Sequence, residues 1–186
     1  SGWLTATREV TTTRRGSSSD VGRSGSTSVG SQALDTSSAC TSGAAALALG
    51  ASWIREGRAE VVLAGGADAL CRLTYSGFGS LAVLDPSPCR PFDKTRAGLT
   101  LGEGAAFLVL ERADLARARG KVAVAELAGY ALGGEAHHIT NPEPSGGAAR
   151  AILARALAVA NLAPSDVGYV NAHGTATPLN DSSEAA

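Results

Sequence analysis

The chain has 186 residues, enough for one well-cored domain, with 44% hydrophobic and 4% aromatic residues, a formal net charge of −1 and a pI of about 6.3. That balance offers no basic field to attract nucleic acid and no acidic tail. Three cysteines without a Cys-x-x-Cys pair suggest neither a disulfide framework nor a zinc site, so reduced thiols in a cytoplasmic protein are expected; no apolar run reaches a membrane span, and the start lacks the apolar core of a signal peptide.

Residues 1–31 stand apart. Nineteen of them are Ser, Thr or Gly and the apolar residues follow no period, a composition that buries too little surface to offset ordering entropy. This head is expected to be a loop or disordered, and residues 32–186 to form the folded region. Gln32–Ser37 reads as a short strand. Thr41–Gly57 reads as a helix that carries no charged or strongly polar side chain from Gly43 to Ala51, so it should be buried all round. Gly57 is its stop. Glu60–Gly65 is a buried strand by length and β-branching. The following Gly65-Gly66 has neither Rossmann nor Walker spacing.

Residues 71–100, with prolines at 86, 88 and 91, predict a long irregular segment of the kind that is usually functional. Gly102–Leu110 is a second buried strand, Arg112–Arg119 a charged surface helix stopped by Gly120, and Val122–Leu132 a long strand. Asn141–Gly147 is a turn. Gly147–Asn161 is an amphipathic helix with Ile152, Leu153, Ala156, Leu157 and Ala160 on one face. A turn at Pro164, a last strand at Val167–Asn171 and a new helix near Asn180 complete the chain. Strands alternating with helices argue for α/β layers.

Two places carry chemistry. Cys40 lies where a strand end meets the apolar helix. The unpaired N–H groups of a first turn and the positive end of the helix dipole favour a thiolate there. The competing reading is a small buried hydrophobe, since cysteine is among the most buried residues. His173 is delivered by a strand into a Gly-Thr-x-Thr loop, followed by Asp181 and Glu184. A histidine so placed can donate a hydrogen bond or exchange a proton near neutral pH, or be a satisfied structural residue.

Three blocks together resemble the β-ketoacyl-acyl-carrier-protein synthases of the thiolase fold, both the condensing enzymes of bacterial fatty acid synthesis and the polyketide ketosynthases. Thr36-Ser-Ser-Ala-Cys40-Thr-Ser-Gly is similar to the nucleophile motif of that family. Arg90-Pro-Phe-Asp-Lys with Leu101-Gly-Glu-Gly-Ala resembles the block between its halves, and Asn171-Ala-His-Gly-Thr-x-Thr-Pro its first histidine motif. The likeness runs from about residue 33 onward. It implies a partial thiolase-like α/β fold and a decarboxylative Claisen condensation. Cys40 would take an acyl group from a carrier-protein thioester, with its own N–H in the oxyanion hole. His173 would stabilise the enolate formed as malonyl-carrier protein loses carbon dioxide. By the same resemblance Thr175 and Thr177 would bind the pantetheine arm and Phe78 would stand beside the acyl pocket, or simply pack in the core. Asp181 and Glu184 would support the site, or be an ordinary acid pair at a helix start. No cofactor or metal is implied. The partners would be acyl carrier protein and its acyl and malonyl thioesters, and a second copy of the chain paired through Gln32–Ser37.

His137 and His138 match no catalytic position and read as loop residues; Cys71 and Cys89 read as structural. The family's second histidine, its lysine and its closing glycine-rich segment would fall beyond residue 186. Its first strands and helices should precede residue 33, where the head does not resemble them. The resemblance therefore describes less than half of the usual enzyme. Two other readings stay open: a non-catalytic remnant or partner subunit, and a cysteine hydrolase using a Cys–His pair.

Overall fold

The computed structural model of the chain describes residues 33–186. Its elements are α1 (Ser42–Arg55), β1 (Val61–Asp68), α2 (Arg72–Ser80), β2 (Gly104–Glu111), α3 (Ala113–Ala118), α4 (Gly147–Ala160) and α5 (Pro178–Glu184), with a tighter helical turn at Pro164–Asp166. The expected head at residues 1–31, and Gln32, lie outside the described residues.

β1 and β2 pair antiparallel along their whole length, with Val61 opposite Glu111 and Asp68 opposite Gly104. The helix α1 lies across one face of this pair on a stripe of small residues. Ser42, Gly43, Ala45, Ala48 and Gly50 are its buried positions, and Ala64 is buried beneath them. A Cβ on Gly50 would stand 3.0 Å from a Val62 methyl and 3.2 Å from a Leu110 methyl. The helix sits this close because glycine leaves the space. Gly57, with φ of 70°, ends the run as the sequence predicts, and Gly120, with φ of 69°, does the same after α3.

Burial is less complete than the apolar runs imply. α1 is buried along one stripe and half-buried elsewhere. The strands were expected to be covered on both faces. Leu63, Phe107 and Val109, which alternation turns away from α1, are instead 67%, 55% and 67% exposed. The described residues supply a covering layer on one face only.

Three expected strands are corrected. Residues 33–37 form no strand; an isolated bridge joins Ser38 to Cys40 instead. Val122–Leu132 and Val167–Asn171 are likewise outside any ladder. Their β-branched sequences suit extended backbone, but a strand also needs a neighbour for its N–H and C=O groups, and the described residues offer none. The segment after residue 122 packs by other means. A Cβ on Gly129 would meet the Ala156 carbonyl at 2.5 Å and one on Gly133 the Ile152 side chain at 2.8 Å, so this stretch lies tight against α4. The Tyr130 hydroxyl and Ser52 Oγ are 2.6 Å apart, and the Arg55 guanidinium lies 5.0 Å from the Tyr130 ring centre, which ties the same stretch to α1. Residues 71–100, expected to be irregular throughout, contain α2; Cys71 caps it, its sulfur accepting from the Thr74 N–H. The other helices stand within two residues of their expected bounds.

Candidate active site

Cys40 rides on a tight turn at the start of α1. Ala39 before it has φ of 54°, a left-handed conformation that a non-glycine residue adopts at a cost of about 1–3 kcal/mol unless its surroundings impose it. The surroundings are three short side chains, those of Ser38, Thr41 and Ser42. Ser42 Oγ accepts from the Ser38 N–H at 2.9 Å and donates to the Ala39 carbonyl at 2.7 Å. Thr41 Oγ1 lies 2.7 Å from Ser38 Oγ and 2.8 Å from the Ser38 carbonyl. Thr41 is the cap residue of α1, so Cys40 lies one residue outside the helix, and it is exposed. The small hydrophobe reading of Cys40 does not hold.

The thiol faces a cavity of about 730 Å³. Cys40, Phe78, His173 and Thr175 line it together with Cys89 and Phe92. These come from the turn before α1, from α2, from the loop between α2 and β2, and from the loop before α5. Four of the seven residues expected to form a site, far apart in sequence, thus share one space.

The remaining three lie beneath it. Thr177 is the cap residue of α5, and its Oγ1 is 2.8 Å from Thr175 Oγ1. Glu184 receives the N–H groups of His173 and Gly174, each at 2.7 Å, and an Asn180 amide N–H at 2.9 Å. Asp181 is 1% exposed. Its Oδ1 accepts from the Ala176 N–H at 3.1 Å and its Oδ2 from the Phe92 N–H at 2.7 Å. The His173 loop is therefore hung from two carboxylates on one short helix. Burial lowers the pKa of His173, against the opposing pull of Glu184 and Asp181. The ring is thereby kept neutral near pH 7, with one N–H to donate and one nitrogen to accept.

The other two cysteines, expected to be structural, take different places. Both are exposed. Cys89 lines the cavity. Cys71 caps α2, and the Thr74 hydroxyl, 3.1 Å from its sulfur, and then the Thr74 N–H lower its pKa. Cys71 thus also stands at a helix start. His137 and His138 lie in a loop as expected, His138 Nδ1 accepting from the Thr140 and Asn141 N–H groups at 3.1 Å each. Sequence reasoning missed Cys89, Phe92, Asn180 and Arg96. The first two belong to the stretch Pro86–Phe92, whose three prolines within six residues are the available signal.

Residues 27–116 match the N-terminal domain of β-ketoacyl synthase and residues 124–186 its C-terminal domain. The chain belongs to the β-ketoacyl synthase family. Nodulation protein E of Rhizobium leguminosarum bv. trifolii is 47% identical over 150 residues, which is 80% of this chain and 37% of the relative. The 3-oxoacyl-[acyl-carrier-protein] synthase 2 of Synechocystis sp. is 41% identical over 156 residues, 80% of this chain and 38% of the relative. A solved type II polyketide ketosynthase, in complex with its acyl-carrier protein and bound to the hexaketide, superposes with a TM-score of 0.73 at 37% identity, covering 78% of this chain and 38% of that one. The fold is accordingly a partial thiolase-like one, and the chain spans well under half the length of the relatives it matches.

Proposed function

We propose that this cavity carries the acyl-transfer chemistry of a β-ketoacyl-acyl-carrier-protein synthase. The Cys40 thiolate attacks the carbonyl of an acyl-carrier thioester, and the carrier thiol leaves as the acyl-cysteine forms. A malonyl thioester then loses carbon dioxide. The electron pair released passes to an enolate, which attacks the acyl-cysteine carbonyl, forms the new carbon–carbon bond and returns the thiolate. His173 is neutral and donates its N–H to the thioester oxygen where the enolate charge develops. Thr175 and Thr177 hold the pantetheine arm, Phe78 walls the acyl chain, and Asp181 and Glu184 fix the loop that carries His173.

The observation that supports this reading is the convergence of Cys40, Phe78, His173 and Thr175 on one cavity from four separate parts of the chain. Incubation with a labelled acyl-carrier thioester tests it. A stable acyl thioester on the chain supports the proposal. Release of free acid would make the site a hydrolase, and no transfer would make the chain a non-catalytic piece. A homodimer in the cytoplasm belongs to the same proposal, with the apolar face around Leu63 and Val109 as its motive; a monodisperse monomer in light scattering contradicts that part.

A further inference from the structure

The two walls of the cavity meet beside His173. Gly174 has φ of 53°, and a Cβ there would stand 3.3 Å from Pro91 and 3.6 Å from the Phe92 ring. One wall is the loop around Pro91 and Phe92, the other the His173–Thr177 loop. Each wall holds one non-glycine residue in the left-handed region, Phe92 with φ of 63° and Ala176 with φ of 61°. Such residues persist only where their surroundings over-determine them. Both send their N–H to the same carboxylate, Phe92 to Asp181 Oδ2 at 2.7 Å and Ala176 to Oδ1 at 3.1 Å.

A carboxylate that is 1% exposed is costly unless its charge is matched. Arg96 matches it. Its side chain is 18% exposed, and its Nε lies 3.5 Å from Asp181 Oδ2. This approach is coulombic, since Nε makes no hydrogen bond among the described residues. The arginine is aimed by its other nitrogens. Nη2 donates to the Pro178 carbonyl at 3.1 Å and to Ser182 Oγ at 3.0 Å, and Nη1 to the Asp93 carbonyl at 3.0 Å. It thus grips both α5 and the Phe92 wall.

We infer that Arg96 is a positioning residue: with Asp181 it clamps the Phe92 wall to the His173 wall and so sets the spacing of the cavity that Cys40 and His173 both line. The weight of this for catalysis rests on the function proposed above, whereas the clamp itself is a matter of geometry. If the clamp opens, water reaches His173. The ionisable groups about that ring are Glu184 and Asp181 from α5, with Cys40, Cys89, Asp68 and Tyr169 lining the same cavity.

The test is hydrogen exchange at the Phe92 and Ala176 amides together with NMR titration of the His173 ring, in the full chain and in Arg96→Ala, Arg96→Lys and Ser182→Ala. Arg96→Ala is expected to speed exchange at both amides by about tenfold or more, the range for losing a charge-assisted contact. The His173 midpoint should rise toward the ordinary histidine value. Arg96→Lys keeps the charge but not the fork of Nη contacts, and is expected to restore part of both readouts. Ser182→Ala loosens the grip by one hydrogen bond and should give a smaller, still paired effect; it carries the test if Arg96→Ala does not fold. Exchange that rises at one amide only, that rises across the whole chain, or that leaves the His173 midpoint unmoved overturns the inference. Loss of acyl transfer to Cys40 with the paired amides intact would count against the proposed function and leave the clamp standing.

Discussion

The unit of α1, β1 and β2 and the unit built around α5 hold together by opposite means. The first is an apolar contact between small residues, where Gly50 and Ala64 let a helix lie close on two strands. It contains few directed bonds beyond its own backbone ladder. The second has almost no apolar core. Its buried residues in α5 are Asn180, Asp181 and Ser183, and its order comes from carboxylates that collect backbone N–H groups. The first unit provides a platform that any well-shaped set of small residues could form. The second provides orientation, which needs groups with direction and charge. It is the oriented unit that carries His173.

Breaking the oriented unit should therefore cost most. Asp181→Ala strands the Arg96 charge and leaves the N–H groups of Phe92 and Ala176 without their acceptor. It is expected to destabilise the chain by about 3–5 kcal/mol in urea unfolding, the range for removing one partner of a buried pair. Exchange should rise first in residues 90–96 and 173–184 while α1 and β1 stay protected. Overfilling the apolar unit comes next. Gly50→Leu forces α1 off Val62 and Leu110 and is expected to cost about 2–3 kcal/mol, with little dependence on salt. A smaller effect follows where the two means meet. Tyr130→Phe removes the bond to Ser52 and should cost about 1 kcal/mol by the same measurement.

This contrast also explains what was legible in the sequence. α1, β1, β2 and α4 show through periodicity and length, because apolar packing writes itself as a pattern in the chain. Cys40, His173, Phe78 and Thr175 were legible through motifs, and the structure brings those four to one cavity. The burial of α1 and of the strands was over-read, because an apolar run does not say how many of its faces have a neighbour. Val122–Leu132 and Val167–Asn171 look like strands in the sequence for the same reason. Arg96 and Cys89 were invisible as site residues. An arginine three residues after an aspartate looks like surface, and only the fold turns it toward Asp181 from 85 positions away in the chain.

The smallest effect expected concerns pH. His173 has its folded pKa below its unfolded value, so the unfolded chain binds the proton more readily. Its stabilising contribution is whole above about pH 6.5, the ordinary histidine value, and is lost as pH falls toward the folded pKa. The unfolding midpoint of the chain should therefore decline from pH 7 to pH 5 more steeply than that of His173→Asn. Equal slopes would show that burial of the ring is not felt in the folded state.

In the proposed chemistry the cavity, rather than thiol reactivity alone, selects Cys40. Cys71 gives the sharpest competitor, being exposed and lowered in pKa by Thr74, yet it is not among the residues lining the cavity. Cys89 lines the cavity but does not stand at a helix start. The direct measurement is peptide mass spectrometry of the chain after brief incubation with an acyl-carrier thioester, in parallel with a small alkylating agent. The acyl group is expected on Cys40, abolished by Cys40→Ala and unchanged by Cys71→Ser, while the alkylating agent also labels Cys71. Acyl transfer to Cys71 or Cys89 in preference to Cys40 would contradict it.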